Sequence, residues 1–294
     1  MDTLKNTIRE LEAVSPDEAR MSFRSSSYHP SREELIRMMN LVSGVIFPGS
    51  KQLVEEDVME IFFILRQQIF NVLALEDGLA EAEAKARADT LAHSAVITLP
   101  EVRRLLLTDV DALVHNDPAG SNSHEVVFSY PGIYVMVRYR FAHELYKLGV
   151  PIIPRIITEQ AHSATGIDIH PAARIGEYFA IDHGTGVVVG ATSIIGNHVM
   201  LYQGVTLGAR NFSYGSDGTP LDIPRHPILE DNVTIFSNTS ILGRITIGHD
   251  TIIGGNVWLT HDVPPHSKIL QGRAEYTTRQ NGKWIPYAVN GDFI

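Results

Sequence analysis

Between Leu229 and Leu259 an aliphatic residue recurs at every sixth position: Leu229, Ile235, Ile241, Ile247, Ile253 and Leu259. An earlier run, Val189, Ile195, Leu201 and Leu207, keeps the same step. Few folds accept that period. Side chains return to the same face every 3.6 residues on an α-helix and every 2 on a strand. A step of six instead describes one side of a coil in a solenoid of short parallel strands. Each aliphatic then points inward and stacks on its equivalent in the next coil. A small residue behind it lets the corner turn, and Gly176, Gly190, Gly196, Gly208, Gly248 and Gly254 stand there. Two places before the aliphatics stand Val233, Thr239, Ile245, Thr251 and Val257, small or β-branched residues that suit a narrow interior. An ordinary antiparallel β domain would place ten aliphatics on two such ladders only by accident.

The first 160 residues follow a different period. Ser31 and Glu34 form a capping box ahead of Leu35, Met38, Met39 and Val42. Val54, Val58, Ile61, Phe62, Leu65, Ile69 and Val72 mark a second helix. A weaker, Ala-rich third runs from Leu79 to Ala95, and Pro100 suits the first turn of a fourth. A fifth follows Tyr130-Pro131-Gly132 and stops at Gly149 and Pro151. The expected fold class is α+β, with a helical domain at 1–160, a parallel β-helix of hexapeptide repeats at 161–275 and a tail at 276–294 that is mobile from Trp284 onward.

Composition narrows the function. A net charge of −10 disfavours nucleic acid as the partner. No apolar run approaches the roughly 20 residues that cross a bilayer, so no membrane is expected. Met1 to Glu10 lacks an export pattern, which leaves the cytoplasm as the expected compartment. The absence of cysteine excludes a disulfide scaffold, a thiolate nucleophile and a Cys-based zinc site. Asp217-Gly218 and Asp222 have poor ligand spacing, and no metal is expected.

The ladder breaks twice, and insertions in a solenoid become surface loops that carry function. Ile169, Ile175 and Ile181 keep step six, but Val189 follows Ile181 by eight, which places two extra residues in Asp182-His183-Gly184-Thr185-Gly186. The second break runs from Leu207 to Leu229 and holds Arg225-His226-Pro227. Asp168 precedes His183 by fifteen residues, a little less than a three-sided coil of roughly eighteen. The two side chains can therefore approach on adjacent coils. A carboxylate on one imidazole nitrogen sets the tautomer and raises the basicity of the other, which is the base an alcohol needs.

Taken in order, Asp168-Ile169-His170-Pro171-Ala172-Ala173, Asp182-His183-Gly184-Thr185-Gly186, Gly204-Val205-Thr206-Leu207-Gly208 and Arg225-His226-Pro227 resemble the signature of the serine O-acetyltransferases. These are hexapeptide-repeat acyltransferases. Asn116-Asp117-Pro118-Ala119, Tyr130-Pro131-Gly132 and Tyr139-Arg140-Phe141-Ala142-His143 resemble that family's helical domain. The likeness spans about residues 100 to 275. It implies a left-handed β-helix, with acetyl-CoA as cosubstrate and L-serine as acceptor in cysteine biosynthesis. It implies His183 as general base with Asp168 as its partner. Asp117 and Asp182 would meet the substrate ammonium, and Arg225 and His226 its carboxylate. Gly208, Ala209, Ser237 and Gly255 would line the path of the pantetheine arm. It further implies a homotrimer or a dimer of trimers, with His226 reaching the His183 of a neighbouring subunit, and feedback inhibition by L-cysteine. The terminal Ile294, with Asp292 and Phe293, would enter the active site of O-acetylserine sulfhydrylase.

The sequence departs from the family at Ala209, in the longer loop before Arg225, at Phe236-Ser237-Asn238-Thr239 and at Gln271-Gly272-Arg273-Ala274-Glu275, all of which touch the expected CoA path. Bland roles are expected elsewhere. His29, His93, His124, His162, His198, His249 and His261 are surface or structural, His170 starts a coil, and Arg103-Arg104 is a solvated helix face. Asp117 also reads as a helix-ending Asp-Pro turn. The competing functions are a same-fold acyltransferase acting on a sugar, an antibiotic or homoserine, and a non-catalytic scaffold.

Overall fold

The computed structural model describes residues 2–13, 28–49, 54–76, 79–116, 122–211, 214–219, 221, 223–272, 277–280 and 283–286. Among the described residues eight helices come first: α1 Asp2–Glu12, α2 Arg32–Ile46, α3 Val54–Glu76, α4 Glu81–Val96, α5 Leu99–Asn116, α6 Ser123–Ser129, α7 Pro131–Lys147 and α8 Ile153–Thr165. Ser31 caps α2 as anticipated, its hydroxyl accepting from Glu34 N–H. The alanine helix α4 buries Ala84, Ala88, Ala92 and Ala95, a stripe of small residues that lets it lie close against α3. Among the described residues, α3 is the one helix long and apolar enough to cross a membrane by length and composition. Glu55, Glu56, Asp57, Glu60 and Arg66 interrupt its sequence. Its stripe Ile61, Leu65, Ile69 and Val72 is buried, and the helix packs on α2 and α4.

The boundary expected at residue 160 falls inside α8, so the helical part runs to Thr165. Pro151 does not end the helices. Pro154 starts another, and Gly166, left-handed at φ 73°, closes it.

Among the described residues fourteen short strands then wind into a three-sided parallel coil. In order they are β1 Asp168–Ile169, β2 Arg174–Ile175, β3 Ala180–Ile181, β4 Val188–Val189, β5 Ile194–Ile195, β6 Met200–Leu201, β7 Thr206–Gly208, β8 Ile228–Leu229, β9 Thr234–Ile235, β10 Ser240–Leu242, β11 Thr246–Ile247, β12 Ile252–Ile253, β13 Trp258–Leu259 and β14 Lys268–Ile269. Every third strand stacks, which gives sheet 1 (β1-β4-β7-β10-β13), sheet 2 (β2-β5-β8-β11) and sheet 3 (β3-β6-β9-β12-β14). The fold is the helical domain and left-handed β-helix expected from the repeat and the resemblance. All ten ladder aliphatics are buried, each contributing roughly 1.5–3 kcal/mol. Thr239, two places before Ile241, is fully buried, and its hydroxyl donates to Gly254 O at 2.7 Å. A polar atom inside the coil thus has a partner. In the tail, β15 Thr277–Gln280 and β16 Lys283–Pro286 pair antiparallel. The expectation of a tail mobile from Trp284 is therefore corrected for residues 284–286, whose backbone is held in that ladder; the remainder, 287–294, lies outside the described residues.

The register measures the insertions. Asp168 stands beside Val188, twenty residues on, because the Asp182–Gly186 corner adds two. Ile194 stands beside Ile228, thirty-four on, because the loop between β7 and β8 adds sixteen. Ile228 and Thr246 are again eighteen apart.

The first coil has no preceding coil to pair with, and the helices take that place. Arg140 on α7 donates Nε and Nη2 to Asp109 on α5, both at 2.7 Å. It also reaches Gly176 O at 2.7 Å, while Asp109 Oδ1 accepts from Phe179 N–H at 3.1 Å. Tyr139 donates to Ala173 O at 2.6 Å, and Thr108 Oγ1 accepts from Tyr178 N–H at 3.1 Å. Gly132 on α7 lies so close to β3 that a Cβ would stand 2.6 Å from Ile181 O. The expectation that Arg103-Arg104 is only a solvated face needs correction, because Arg104 bridges Glu101 on α5 and Glu177 on the first coil. Removing one partner of a buried ion pair strands the other charge. Asp109→Ala should therefore lose about 3–5 kcal/mol of stability by urea unfolding, whereas Arg104→Ala, at the solvated rim, should lose about 1 kcal/mol or less.

Candidate active site

Sheet 1 is flanked by the two broken corners. Chain enters it from sheet 3 through Asp182–Gly186 and leaves it toward sheet 2 through the long loop ending at Arg225-His226. The residues expected to activate an alcohol and those expected to hold a carboxylate thus lie on opposite edges of one sheet. At a strand rise of about 3.3 Å, some five residues of face separate them by roughly 15 Å.

The entry corner is held by its own backbone. Gly184 N–H bonds Asp182 O at 2.7 Å, Val187 N–H bonds Gly184 O at 2.9 Å and Gly186 N–H bonds Gly166 O at 2.8 Å. His183 is left-handed at φ 59°, uncommon for a residue other than glycine. Left-handed residues elsewhere in the coil follow a rule. Tyr178, His198, Asn232, Asp250 and His266 occupy one corner column, and Asn238 and Asn256 occupy another with Gly186 and Gly204. His183 belongs to neither column and arises from the insertion. Its side chain is 73% exposed, with Nε2 4.0 Å from Asp182 Oδ2.

Asp168 opens sheet 1 beside α8. Its carboxylate lies 3.8 Å from Arg155 Nη1 and within 4.8 Å of ligand atoms of Glu159 and His162. Within the single chain Asp168 and His183 form no hydrogen bond or ion pair; the carboxylate beside His183 is Asp182. His183 sits on the inserted corner, which packs against Gly166 and Ile167, and Asp168 is the next residue along.

The exit edge is organised by Thr192, which the sequence reading passed over. Thr192 Oγ1 accepts from Arg225 N–H at 2.8 Å and His226 N–H at 3.0 Å, and it lies 2.8 Å from His226 Nδ1. Thr192 N–H donates to the same Nδ1 at 3.1 Å. A backbone donor on Nδ1 leaves the ring proton on Nε2. Arg244 ties the pair down by donating to Thr192 O at 2.7 Å and His226 O at 2.9 Å. Gly190 is required here, since a Cβ would lie 1.9 Å from the His226 ring. The signal for Thr192 was present in the sequence. It precedes His226 by the same thirty-four residues that separate Ile194 from Ile228, but the inserted loop conceals that register. Burial, then the neighbouring Arg225, His170 and Arg244, lower the His226 pKa to about 4.

The four positions expected along the pantetheine path divide between the same edges. Gly208 and Ala209 leave β7 at the exit edge, where Gly208 O accepts from Gly243 N–H at 3.0 Å. Ser237 and Gly255 stack at the entry edge, where a Cβ on Gly255 would lie 3.1 Å from Ser237 O. His170 has the structural part expected of it, its Nδ1 accepting from Ala172 N–H at 3.0 Å. Asp117, Asp292, Phe293 and Ile294 lie outside the described residues.

No family model matches the chain. Curated relatives do. The chain is 40% identical over 304 residues to a plasmid serine acetyltransferase of Synechococcus elongatus, covering 96% of this chain and 95% of that one. It is 41% identical over 187 residues to the serine acetyltransferase of Bacillus licheniformis, covering 64% and 82%. Among solved structures, serine acetyltransferase isoform 3 of Entamoeba histolytica in complex with cysteine is 33% identical at a TM-score of 0.70, covering 83% of this chain and 84% of that one. Soybean serine acetyltransferase complexed with serine is 26% identical at a TM-score of 0.56, covering 83% and 98%.

The environment of His226 has a consequence for acid stability. Its folded pKa lies below the unfolded value near 6.5, so the unfolded chain binds the extra proton between about pH 6.5 and 4. Stability contributed by the neutral ring is present above that window and is lost as pH falls through it. Thermal melts should show Tm of the native chain dropping more steeply from pH 6.5 to 4.5 than Tm of His226→Asn.

Proposed function

Since the chain belongs to the serine acetyltransferase family, we infer that it transfers the acetyl group of acetyl-CoA to the hydroxyl of L-serine, giving O-acetylserine for cysteine biosynthesis. The observation that carries the assignment of roles is the exposed His183 with a carboxylate 4.0 Å from its Nε2. In serine the ammonium and the hydroxyl are carried on adjacent carbons. One substrate molecule spans the gap with its ammonium on Asp182 and its hydroxyl at His183 Nε2.

His183 accepts the hydroxyl proton as the oxygen attacks the thioester carbonyl. The tetrahedral oxyanion collapses, and protonated His183 returns its proton to the departing CoA sulfur. No acyl-enzyme is needed. Asp168 is assigned as the partner that orients the His183 ring, and Asp117 adds a second carboxylate toward the ammonium. Arg225 and the Nε2–H of His226 receive the substrate carboxylate, for which a guanidinium fork and a neutral donor are suited. Acetyl-CoA runs along sheet 1 past Gly208, Ala209, Ser237 and Gly255.

A serine molecule is too short to join two edges roughly 15 Å apart. We therefore assign the working site to two subunits, the entry edge of one prism facing the exit edge of the next, in a homotrimer or a dimer of trimers. L-cysteine carries the same ammonium and carboxylate, so the site holds it as an inhibitor. Relatives are solved with serine and with cysteine bound.

The test is thiol release from acetyl-CoA with and without L-serine. His183→Ala should lose at least about 10²-fold in kcat, and Arg225→Ala should raise KM for serine. Each variant alone is crippled. Co-expressed, they should recover about a quarter of wild-type activity, because random trimers keep that share of interfaces intact. No recovery would place both edges in a single-chain site, and turnover independent of serine would remove the assigned acceptor.

The C-terminal segment is the proposed contact with O-acetylserine sulfhydrylase. The free carboxylate of Ile294 would enter that enzyme's amino-acid site, supported by Asp292 and Phe293. Deleting Ile294 should abolish co-elution with the sulfhydrylase and leave acetyl transfer unchanged.

A further inference from the structure

Near the far end of the β-helix, well away from both edges of sheet 1, three potential ligands converge. Asp250 and His266 occupy the same corner on successive coils, left-handed at φ 55° and 56°. Residues so placed project in parallel, one coil apart. His249 adjoins Asp250, and its carbonyl accepts from His266 N–H at 2.9 Å, which ties the two corners together. Glu230 Oε2 accepts from His249 N–H at 2.8 Å.

Asp250 Oδ2 lies 2.6 Å from His249 Nδ1 and 3.6 Å from His266 Nδ1. Ligand atoms of all three residues lie within 4.8 Å of one another. Two imidazoles and a carboxylate around a tetrahedral ion, with bonds of about 2.0–2.1 Å, stand roughly 3.3 Å apart. Small rotations of exposed side chains on a rigid backbone reach that spacing. The other carboxylate oxygen is already engaged, since Asn232 Nδ2 donates to Asp250 Oδ1 at 3.0 Å from one coil earlier. That is the outer hydrogen bond that orients a ligating carboxylate.

We propose that His249, Asp250 and His266 form a surface site for one divalent transition ion of the zinc class, with water completing the tetrahedron. The ion staples the last two coils where the solenoid ends. Imidazole donors select Zn2+, Ni2+ or Cu2+ over Mg2+. The site takes no part in acetyl transfer.

Isothermal titration of ZnCl2 into the untagged full-length protein tests it. The wild-type chain should bind one more Zn2+ per chain than Asp250→Asn or the His249→Ala/His266→Ala double variant, with Kd on the order of micromolar. MgCl2 should give no matching event. Zn2+ should raise Tm of the wild type more than that of the variants, with acetyl transfer in metal-free buffer equal in all three. Equal Zn2+ stoichiometry in wild type and variants would overturn the proposal. Should a variant fail to fold, Co2+ added to the wild type decides: tetrahedral d–d absorption supports the site, and the spectrum of hydrated Co2+ alone overturns it.

Discussion

The buried pair of Arg140 and Asp109 joins the two halves of the molecule. A parallel coil satisfies its backbone through the coils above and below, and the first coil lacks one of them. Arg140 supplies donors to Gly176 O and Asp109 an acceptor for Phe179 N–H, so charged side chains replace the missing strand. Two charges withdrawn from water need such added hydrogen bonds to balance their desolvation. The helical domain is thus the terminal cap that a solenoid requires. The position of the first coil, and with it Asp168 and the Asp182–Gly186 corner, depends on this junction.

Below the cap, the candidate site lies where the repeat is broken. Two inserted residues put His183 on a corner with a backbone conformation the regular columns do not explain. Sixteen inserted residues bring Arg225 and His226 to the opposite edge. The coil around them stays regular, and Ile194 and Ile228 stack as though the loop were absent. Thr192 converts that regularity into chemistry. One hydroxyl accepts two backbone N–H groups, and the neighbouring amide sets the tautomer of His226. A rigid frame carries irregular loops at two edges without loss of core packing.

The corners show how the repeat tolerates varied residues. Tyr178, His198, Asn232, Asp250 and His266 hold the same left-handed position on five coils. Stacking keeps these side chains in register: Tyr178 and His198 lie face to face at 4.3 Å, and Asn232 bonds Asp250. A column of this kind collects polar groups of any type at coil spacing, which is how Asp250 and His266 come to share one place, with His249 beside Asp250 in the chain.

The six-residue ladder, legible without any structure, pointed to a parallel coil with its inward residues, because ten buried aliphatics on two unbroken six-residue ladders fit one side of a coil and few other folds. The order of motifs pointed to the family, and the breaks in the repeat marked His183, Arg225 and His226 as candidates, because insertions in a solenoid become surface loops. Helix α8 was missed because Pro151 reads as a terminator, although Pro154 at a first turn begins a helix. Tertiary structure alone decided which side chains meet. Asp168 and His183, fifteen residues apart, form no hydrogen bond or ion pair within one chain. Thr192 and His226, thirty-four residues apart, are bonded. Spacing in a sequence counts residues along the chain, but contact depends on which coil each residue stacks upon, and an insertion changes the first without disturbing the second.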